Sequence, residues 1–406
     1  MTKIIYTLVY NNIGDDKMLS EMTVKDYTTF MKETTFDFKA TNYKILEGTN
    51  VGENRILKGA LFVGENASGK TQILKAIQLL LDLLIDNKEI NIIRKKSFYT
   101  KGTNCSFSWT FNIKNNIIRY YIQFESNNIY EEKLFLNEKL MLERLKNTGK
   151  TYFVDNAEKN NDDINLSLPL LKLEYYNTRL NNNEILNEWF EYMKNSMTIN
   201  CMYGYKATKS YNPSKIDEQF INKYAESHDT KELNMFLKKL GYNSELSFEK
   251  QTSSVDNSII IGSNKEFIGI KKKGTSVVMP IEIESNGNQA LINSILPFIY
   301  ATKNNCMLII DEFSSGLHND LEEALVRYFF NNSKNSQLFF TSHSTNLLDN
   351  SILRPDQIYS FSFDPRKGTM IKRFSDENPR ESQNIEKMYL SGVFDGLPKY
   401  DKEFKN

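Results

Sequence analysis

The sequence predicts an α/β fold, and three observations carry that prediction. A strand, a glycine-rich loop and a helix follow one another around residue 65. A second apolar strand, Met307–Ile310, ends in two adjacent carboxylates. Between them, residues 106–136 alternate apolar and polar side chains in two runs separated by Asn115-Asn116, which is typical of an antiparallel hairpin or meander. We therefore expect an α/β core with an added antiparallel β patch.

Composition describes an ordinary globular chain of 406 residues, 40% of them hydrophobic and 25% charged. Lys and Arg number 51, as do Asp and Glu, so the zero formal net charge gives no support for a nucleic-acid or anionic-membrane partner. The widely spaced Cys105, Cys201 and Cys306 indicate free thiols in a reducing compartment. No run approaches the ~18 apolar residues of a membrane helix, so we expect a cytoplasmic protein without a membrane partner.

The most specific motif lies in Leu61–Leu74, LFVGENASGKTQIL. Its residues Gly64, Gly69, Lys70 and Thr71 satisfy the phosphate-binding pattern G-x-x-x-x-G-K-[ST]. An apolar run precedes the loop, and apolar residues recur at helical spacing after it. Backbone N–H groups and the positive end of the helix would surround a phosphate, while Lys70 reaches the β- and γ-phosphates of ATP. The nucleotide contacts expected here are Gly64, Glu65, Asn66, Ala67, Ser68, Gly69, Lys70 and Thr71.

A second group of candidate residues follows two later strands. Asp311 and Glu312 end the Met307–Ile310 strand, where Asp311 with Thr71 would hold Mg²⁺ and Glu312 would polarise the attacking water as general base. His343 follows the strand Leu338–Thr341, in a place suited to sensing the γ-phosphate. The predicted catalytic residues are therefore Glu312, His343 and Lys70.

The segment Glu284–Ala290, ESNGNQA, opens a predicted helix, Gln289–Ala301. Ser285 and Gly287 would offer a hydroxyl and a backbone N–H to a phosphate at that helix N-terminus. On composition alone, an ordinary Ser-Asn-Gly turn explains the segment equally well.

The order GENASGKT, ESNGNQ, MLIIDE, FSSGLH, TSH resembles the P-loop ATPase head of the ABC type, as also found in SMC and OLD proteins. In that resemblance ESNGNQ takes the place of the signature motif, and Ser314–His318 that of the D-loop. Two later segments, Leu347–Ile358 and Tyr389–Pro398, resemble the C-terminal pattern of the RloA/AbiLi group. These are bacterial AAA-type, ABC-like ATPases linked to phage-defence and restriction loci.

The resemblance implies a head-to-tail homodimer, or a higher assembly of such dimers, that holds ATP between Lys70 and Thr71 of one subunit and Ser285 and Gly287 of the other. It implies a regulatory, ATP-hydrolysing ATPase of an anti-phage system of the abortive-infection type, which controls a separate nuclease or toxin. The residues after His343 are too few for an appended nuclease of the OLD type.

The patterns along the chain, together with this resemblance, predict four parts. Residues 1–100 form the N-terminal half of the ATPase core, 101–137 the β patch, 138–250 a helical insertion and 251–406 the C-terminal half. Helices are expected over Ile185–Met197, Ile216–Tyr224 and Leu233–Leu240, and residues 140–145 and 166–180 form amphipathic pieces. Further strands are expected at Ile4–Tyr10, Thr34–Ala40 and Ser258–Gly262, whereas 11–54 is otherwise irregular.

Three alternatives remain open at this stage. An SMC-like DNA-binding or repair ATPase would need a basic groove, which the neutral charge and the missing coiled-coil repeat do not favour. The second alternative is the ATPase subunit of a transporter, and the large insertion does not favour it. A nuclease site built from Asp162, Asp163 and Glu174 lacks a recognisable metal-ligand spacing.

Overall fold

The computed structural model describes residues 17–86, 96–97, 99–100, 102, 104–153, 157–201, 206–209, 230–242, 244–250, 266–275, 278–280, 286–315 and 317–397. Its strands are β1 (Lys17–Lys25), β2 (Thr34–Asp37), β3 (Gly59–Gly64), β4 (Asn104–Ile113), β5 (Asn116–Glu125), β6 (Asn128–Leu136), β7 (Lys139–Leu145), β8 (Thr148–Thr151), β9 (Lys159–Asn161), β10 (Met197–Asn200), β11 (Lys206–Lys209), β12 (Ser244–Lys250), β13 (Glu266–Lys272), β14 (Val278–Pro280), β15 (Met307–Asp311), β16 (Gln337–Thr341), β17 (Ile358–Asp364) and β18 (Gly368–Arg373). Its helices are α1 (Glu47–Asn50), α2 (Lys70–Leu84), α3 (Leu170–Thr178), α4 (Glu184–Asn195), α5 (Lys231–Lys239), α6 (Asn286–Lys303), α7 (Asn319–Asn332) and α8 (Ile385–Leu390).

An eight-stranded antiparallel sheet has the order β2-β1-β4-β5-β6-β7-β8-β9. Its strands bury alternate residues, so one face is apolar and the other is polar, as the period of a strand requires. The predicted β patch is therefore confirmed, and it is larger than expected. The amphipathic piece 140–145 belongs to strand β7, and β8 and β9 continue the sheet, so the segment 138–250 is not uniformly helical.

A seven-stranded sheet carries the nucleotide-binding motifs, and its strand order is β11-β10-β15-β16-β3-β17-β18. Its five inner strands are parallel, and the edge strands β11 and β18 pair antiparallel. The inner strands β15, β16 and β3 are almost fully buried, which explains their continuous apolar runs. Because all three end at the same edge of the sheet, their C-terminal residues meet there.

Helix α2 lies between the two sheets. Its buried residues cover most of the helix circumference and include Ile73, Leu74, Ile77, Leu80 and Leu84. One core cluster joins these side chains to aromatic residues of the antiparallel sheet and to residues of the parallel sheet. The remaining residues, among them Thr71, Lys75, Gln78 and Asp82, form a polar stripe along one side, so the helix buries a broad apolar face. This packing fixes the position of the loop that precedes the helix.

Other predicted elements have mixed outcomes. Helices α2, α4, α5 and α6 and strand β2 confirm the corresponding predictions. The prediction that 11–54 is otherwise irregular is wrong, because β1 is a nine-residue strand that pairs with β2 and β4. The predicted elements at Ile4–Tyr10, Ile216–Tyr224 and Ser258–Gly262 lie outside the described residues. Cys105, Cys201 and Cys306 are buried, and none of them is in a disulfide. No helix within the described ranges has the length and apolarity needed to span a membrane.

Candidate nucleotide-binding site

The phosphate-binding loop joins β3 to α2. Gly64 ends the strand with a φ of 141°, and a Cβ there would lie 2.2 Å from the carbonyl oxygen of Phe361 on β17. Gly69 precedes the helix with a φ of 114°, and its Cβ would lie 2.6 Å from the Thr369 hydroxyl oxygen. Only glycine fits both the backbone angle and the space at these two positions. The loop is therefore held tightly against β17 and β18.

Side chains within the loop mostly stabilise the loop itself. The Ser68 hydroxyl donates to the Glu65 carbonyl at 2.8 Å, and the Glu65 carboxylate accepts from the Phe363 backbone N–H at 2.8 Å. The carbonyl of Ser68 accepts from the Thr369 hydroxyl at 2.7 Å. Asn66 and Ala67 form the exposed tip. The loop therefore presents mainly its backbone to a ligand, as a phosphate cradle does.

Lys70 occupies the first turn of α2 and is 5% exposed. Among the described residues its ammonium donates to two backbone carbonyls, those of Gly64 and Glu65, each at 2.8 Å. Burial lowers the pKa of Lys70, and the nearby carboxylates of Glu312, Asp311 and Glu65 partly oppose that effect. The ammonium thus lies folded over the loop, bonded to neutral acceptors, where an arriving phosphate would supply the missing negative charge.

Asp311 ends β15 and connects this strand to helix α2 and strand β16. Its Oδ1 atom accepts from the Thr71 hydroxyl at 3.1 Å and from the Thr341 hydroxyl at 2.9 Å. The Thr341 hydroxyl in turn accepts the Glu312 backbone N–H at 2.7 Å. Thr341 therefore orients both acidic residues, a role that sequence analysis did not assign to it.

Glu312 and His343 lie at the exposed side of the site. The Nε2 atom of His343 is 3.2 Å from Glu312 Oε2, and the two side chains are 46% and 24% exposed. Glu312 has a φ of 56°, in the left-handed region that residues other than glycine rarely adopt. The His343 backbone N–H donates to the Ser314 hydroxyl oxygen at 3.2 Å. The structure thus brings Lys70, Thr71, Asp311, Glu312 and His343 to one edge of the parallel sheet.

Only one of the two predicted signature residues lies in the described part of the chain. Gly287 lies in the first turn of α6, whereas Ser285 falls outside the described residues. The structure contains one chain, so a contact of either residue with the phosphate loop of a second subunit stays a prediction.

The residues present fit a phosphate and Mg²⁺. Mg²⁺ binds hydroxyl and carboxylate oxygens. The Thr71 hydroxyl oxygen and Asp311 Oδ1 lie 3.1 Å from each other. Within the described part of the chain, no side chain caps the N-terminus of α2, which leaves that positive helix end to an anion. Thr71 and Asp311 would hold the ion, and Lys70 the phosphates.

The carboxylates considered for a separate nuclease site do not form one in the described ranges. Glu174 is buried and its carboxylate pairs with the Lys159 ammonium at 2.7 Å, whereas Asp162 and Asp163 are exposed. A search of those ranges finds no group of three His, Cys, Asp or Glu side chains arranged to hold a metal.

Comparisons with known proteins agree with this geometry. Residues 207–349 match the family model described as "AAA domain, putative AbiEii toxin, Type IV TA system". A search of curated proteins finds no match. Among solved structures, the chain is similar to an Smc head bound to the C-winged helix domain of ScpA, at 15% identity and a TM-score of 0.51. That match covers 87% of this chain and 96% of the other.

A second solved structure is the Smc head domain with an extended coiled coil, bound to the C-terminal domain of ScpA derived from Pyrococcus furiosus. It is 12% identical with a TM-score of 0.50, and the match covers 89% of this chain and 97% of that one. Identities this low show the fold alone. The chain therefore has the P-loop ATPase fold of the ABC type seen in Smc heads, and its residues 207–349 resemble the AAA domain of the AbiEii type.

Proposed function

We propose that this chain binds and hydrolyses ATP, and that it regulates a separate effector in a bacterial anti-phage defence system. The observation that carries the ATPase part is the meeting of Lys70, Thr71, Asp311, Glu312 and His343 at the carboxyl ends of three adjacent parallel strands. Ligands of open α/β sheets bind at this edge.

The geometry suggests a division of labour for phosphoryl transfer. Lys70 would leave the Gly64 and Glu65 carbonyls and bond the β- and γ-phosphates. Glu312 would accept a proton from the attacking water, and His343 would donate its Nε2–H to the developing charge on the γ-phosphate. Bound Mg²⁺ supplies further charge neutralisation between Thr71 and Asp311. Positioning and electrostatic stabilisation of this kind provide most of the rate in phosphoryl transfer.

A head-to-tail homodimer completes the proposal. The ammonium, acidic and imidazole groups all approach a bound nucleotide from one subunit, and Ser285 and Gly287 of a second would close the other side. ATP then stabilises the dimer, and hydrolysis releases it, so the assembly state can act as a switch. The description of the matching family as a toxin of a toxin–antitoxin system supports a role in defence, where such a switch would control a nuclease or toxin partner.

The first experiment compares nucleotide binding and assembly state in three variants. Lys70→Ala should abolish ATP binding by calorimetry, because it removes the phosphate-binding charge. Glu312→Gln should bind ATP and accumulate as a dimer in light scattering. Lys75→Ala, an exposed residue on the same helix, is the matched control and should behave as wild type. Retained affinity in Lys70→Ala would refute the phosphate site, and an ATP-independent monomer in Glu312→Gln would refute the dimer switch.

The second experiment addresses the partner. Tagged Glu312→Gln should be purified from its native host with and without phage infection, and both protein and nucleic acid in the eluate identified. A stoichiometric nuclease or toxin would support the controller role, provided that Lys70→Ala does not recover it.

An SMC-like DNA-binding ATPase is the second candidate, and the fold similarity to Smc heads is the observation that favours it. It predicts DNA binding that weakens steeply with salt, because counterions are released from each contacted phosphate. Recovery of DNA without a protein partner, together with a steep salt dependence, would favour this function over the controller role.

A further inference from the structure

A carboxyl group with no role in the reaction described above lies directly behind the His343 loop. Glu322, in the first turn of α7, is fully buried. Its Oε2 atom bonds the Ser344 hydroxyl, and the Ser342 hydroxyl also interacts with this carboxyl. These two serines are the residues on either side of His343, so Glu322 contacts the loop that carries the imidazole.

The surroundings of Glu322 are unusual for an acidic residue. In the described part of the chain no Lys, Arg or His forms an ion pair with it, and its Oε1 atom has no hydrogen-bond partner there. Burial raises the pKa of Glu322, although the two serine hydroxyls act in the opposite direction. Burying a carboxyl group without a cation costs free energy. Packing alone would be satisfied by an apolar residue at this position.

The Ser344 hydroxyl has two oxygen neighbours, Glu322 and Asn319. The Ser344 oxygen also lies 3.2 Å from Asn319 Oδ1. A hydroxyl has one proton to donate. A protonated Glu322 would donate to Ser344 and leave the Ser344 proton for Asn319, whereas an ionised Glu322 would accept the Ser344 proton itself.

The rest of the loop is held by the same part of the chain. On the other side of His343, the Ser314 hydroxyl accepts the His343 backbone N–H. Ser314 belongs to the segment that leads into α7, and Glu322 lies in the first turn of that helix. Ser314 and Glu322 therefore hold the loop at two neighbouring points, the His343 backbone and the Ser344 side chain. Thr345, further along, bonds Glu386 of α8 at 2.6 Å and anchors the end of the loop.

We propose that Glu322 is a positioning residue that holds the 342–344 loop so that His343 stays beside Glu312. It would act through Ser344 and would not touch the nucleotide. This inference rests on the proposed function, because the position of His343 affects a rate only if ATP is hydrolysed. A solely structural role, such as a favourable charge near the N-terminus of α7, would change stability and leave the chemical step unaltered.

The kinetic test uses steady-state ATP hydrolysis by the full chain. Glu322→Ala should lower kcat about tenfold or more while KM for ATP changes less than about threefold, because misplacing one donor to the transition state costs a large factor in rate. Glu322→Gln, which imitates the protonated acid, should stay within about threefold of wild type. Glu323→Ala is the matched control, since Glu323 is the next residue on α7 and bonds Arg327 instead of the loop.

Ser344→Ala removes the same contact from the other side and covers the case in which Glu322→Ala fails to fold. It should show the same loss in kcat, and the double variant should lose no more than either single variant, because both changes break one interaction. Unchanged kcat in Glu322→Ala and Ser344→Ala would overturn the proposal. Equal losses in Glu322→Gln and Glu322→Ala would also overturn it.

A second measurement separates this inference from the ATPase proposal. The chain has three histidines, so selective isotope labelling gives three imidazole signals by NMR, and His343→Gln identifies one of them. Glu322→Ala should shift and broaden the His343 signal without nucleotide, whereas Glu323→Ala should not. If wild type hydrolyses no ATP but the signal shifts, the proposed function fails and the positioning role stands. An unmoved His343 signal would refute the positioning role whatever the ATPase result.

Discussion

Replacing Asp356 by alanine should strongly destabilise the fold without touching the nucleotide site. Asp356 and Arg354 lie in the segment Leu347–Ile358 and are both completely buried. Arg354 donates Nε–H to Asp356 Oδ1 at 2.9 Å and Nη2–H to Oδ2 at 2.8 Å, a bidentate pair. Thr41 adds its backbone N–H and hydroxyl, each 2.7 Å from Oδ2. The pair thus joins the N-terminal part of the chain to the strand that follows, β17.

The structure sets the expected magnitude. Removing one partner of a buried ion pair costs about 3–5 kcal/mol, because the other charge is left uncompensated. Arg354 keeps its bonds to the carbonyls of Tyr43 and Ile45, at 3.0 and 2.7 Å, which limits the loss. The Thr41 backbone N–H loses its acceptor, which increases the loss of stability. We expect Asp356→Ala to lower the free energy of unfolding by about 3–5 kcal/mol.

Urea denaturation at neutral pH measures this loss as a lower midpoint at an unchanged slope. The matched control is Glu377→Ala, which removes a partly exposed ion pair with Lys372 at 2.9 Å and should cost less than about 1 kcal/mol. A loss below about 1 kcal/mol for Asp356→Ala would refute the argument that this buried pair stabilises the fold.

Acidic pH should reduce the difference in free energy of unfolding between wild type and Asp356→Ala. Burial by itself raises the pKa of Asp356, but hydrogen bonds and charge from Arg354, together with Thr41, outweigh it and lower that pKa overall. Its stabilising effect is therefore present above the pH at which an unfolded aspartate titrates, about 3.9. It is lost as the pH falls through the lower pKa of the folded state. Denaturation curves collected from neutral to acidic pH would show the two proteins converging.

Two further substitutions follow from buried hydrogen bonds. Thr341→Val should destabilise the fold by about 1–3 kcal/mol and weaken Mg²⁺-dependent ATP hydrolysis. The reason is that the Glu312 backbone N–H loses its acceptor and Asp311 loses a donor. Thr341→Ser keeps the hydroxyl and should restore stability in denaturation assays and hydrolysis in activity assays. Glu132→Ala should speed amide hydrogen exchange in the first turn of α3 by about tenfold, since the buried Glu132 carboxylate accepts two backbone N–H groups there. Exchange in α4 is the internal control, and equal acceleration in both helices would contradict a local role for Glu132.

The parts of the site that the sequence predicts are those determined by contiguous residues. A phosphate loop needs a strand, two glycines and a helix N-terminus in a fixed order, and all of these lie within Leu61–Leu74. Asp311 and Glu312 were recognisable for the same reason, as carboxylates at the end of an apolar strand. The fold class follows from these local patterns.

Strand β7 shows where local patterns fail. Its sequence, KLMLERL, places apolar residues at several spacings, so a run of seven fits a short helix as well as a strand. Pairing with β6 on one side and β8 on the other decides between them. Those partners supply hydrogen bonds that an isolated segment cannot, and no property of residues 139–145 alone reports their presence.

Thr341 was missed for a related reason, because its role depends on how two distant strands align, and Glu322 was missed because its contact joins a helix to a distant loop. Ile310 on β15 lies opposite Phe340 on β16, which places Asp311 beside Thr341. A shift of one residue would move Thr341 away from the carboxylate and turn the buried side chains of β16 to the opposite faces of the sheet. The apolar match between the two strands thus sets the register, and the register in turn sets the polar contacts at the strand ends. A site assembled in this way is specified by the core beneath it, so core substitutions in β15 or β16 should disturb Asp311 and His343 without any direct contact.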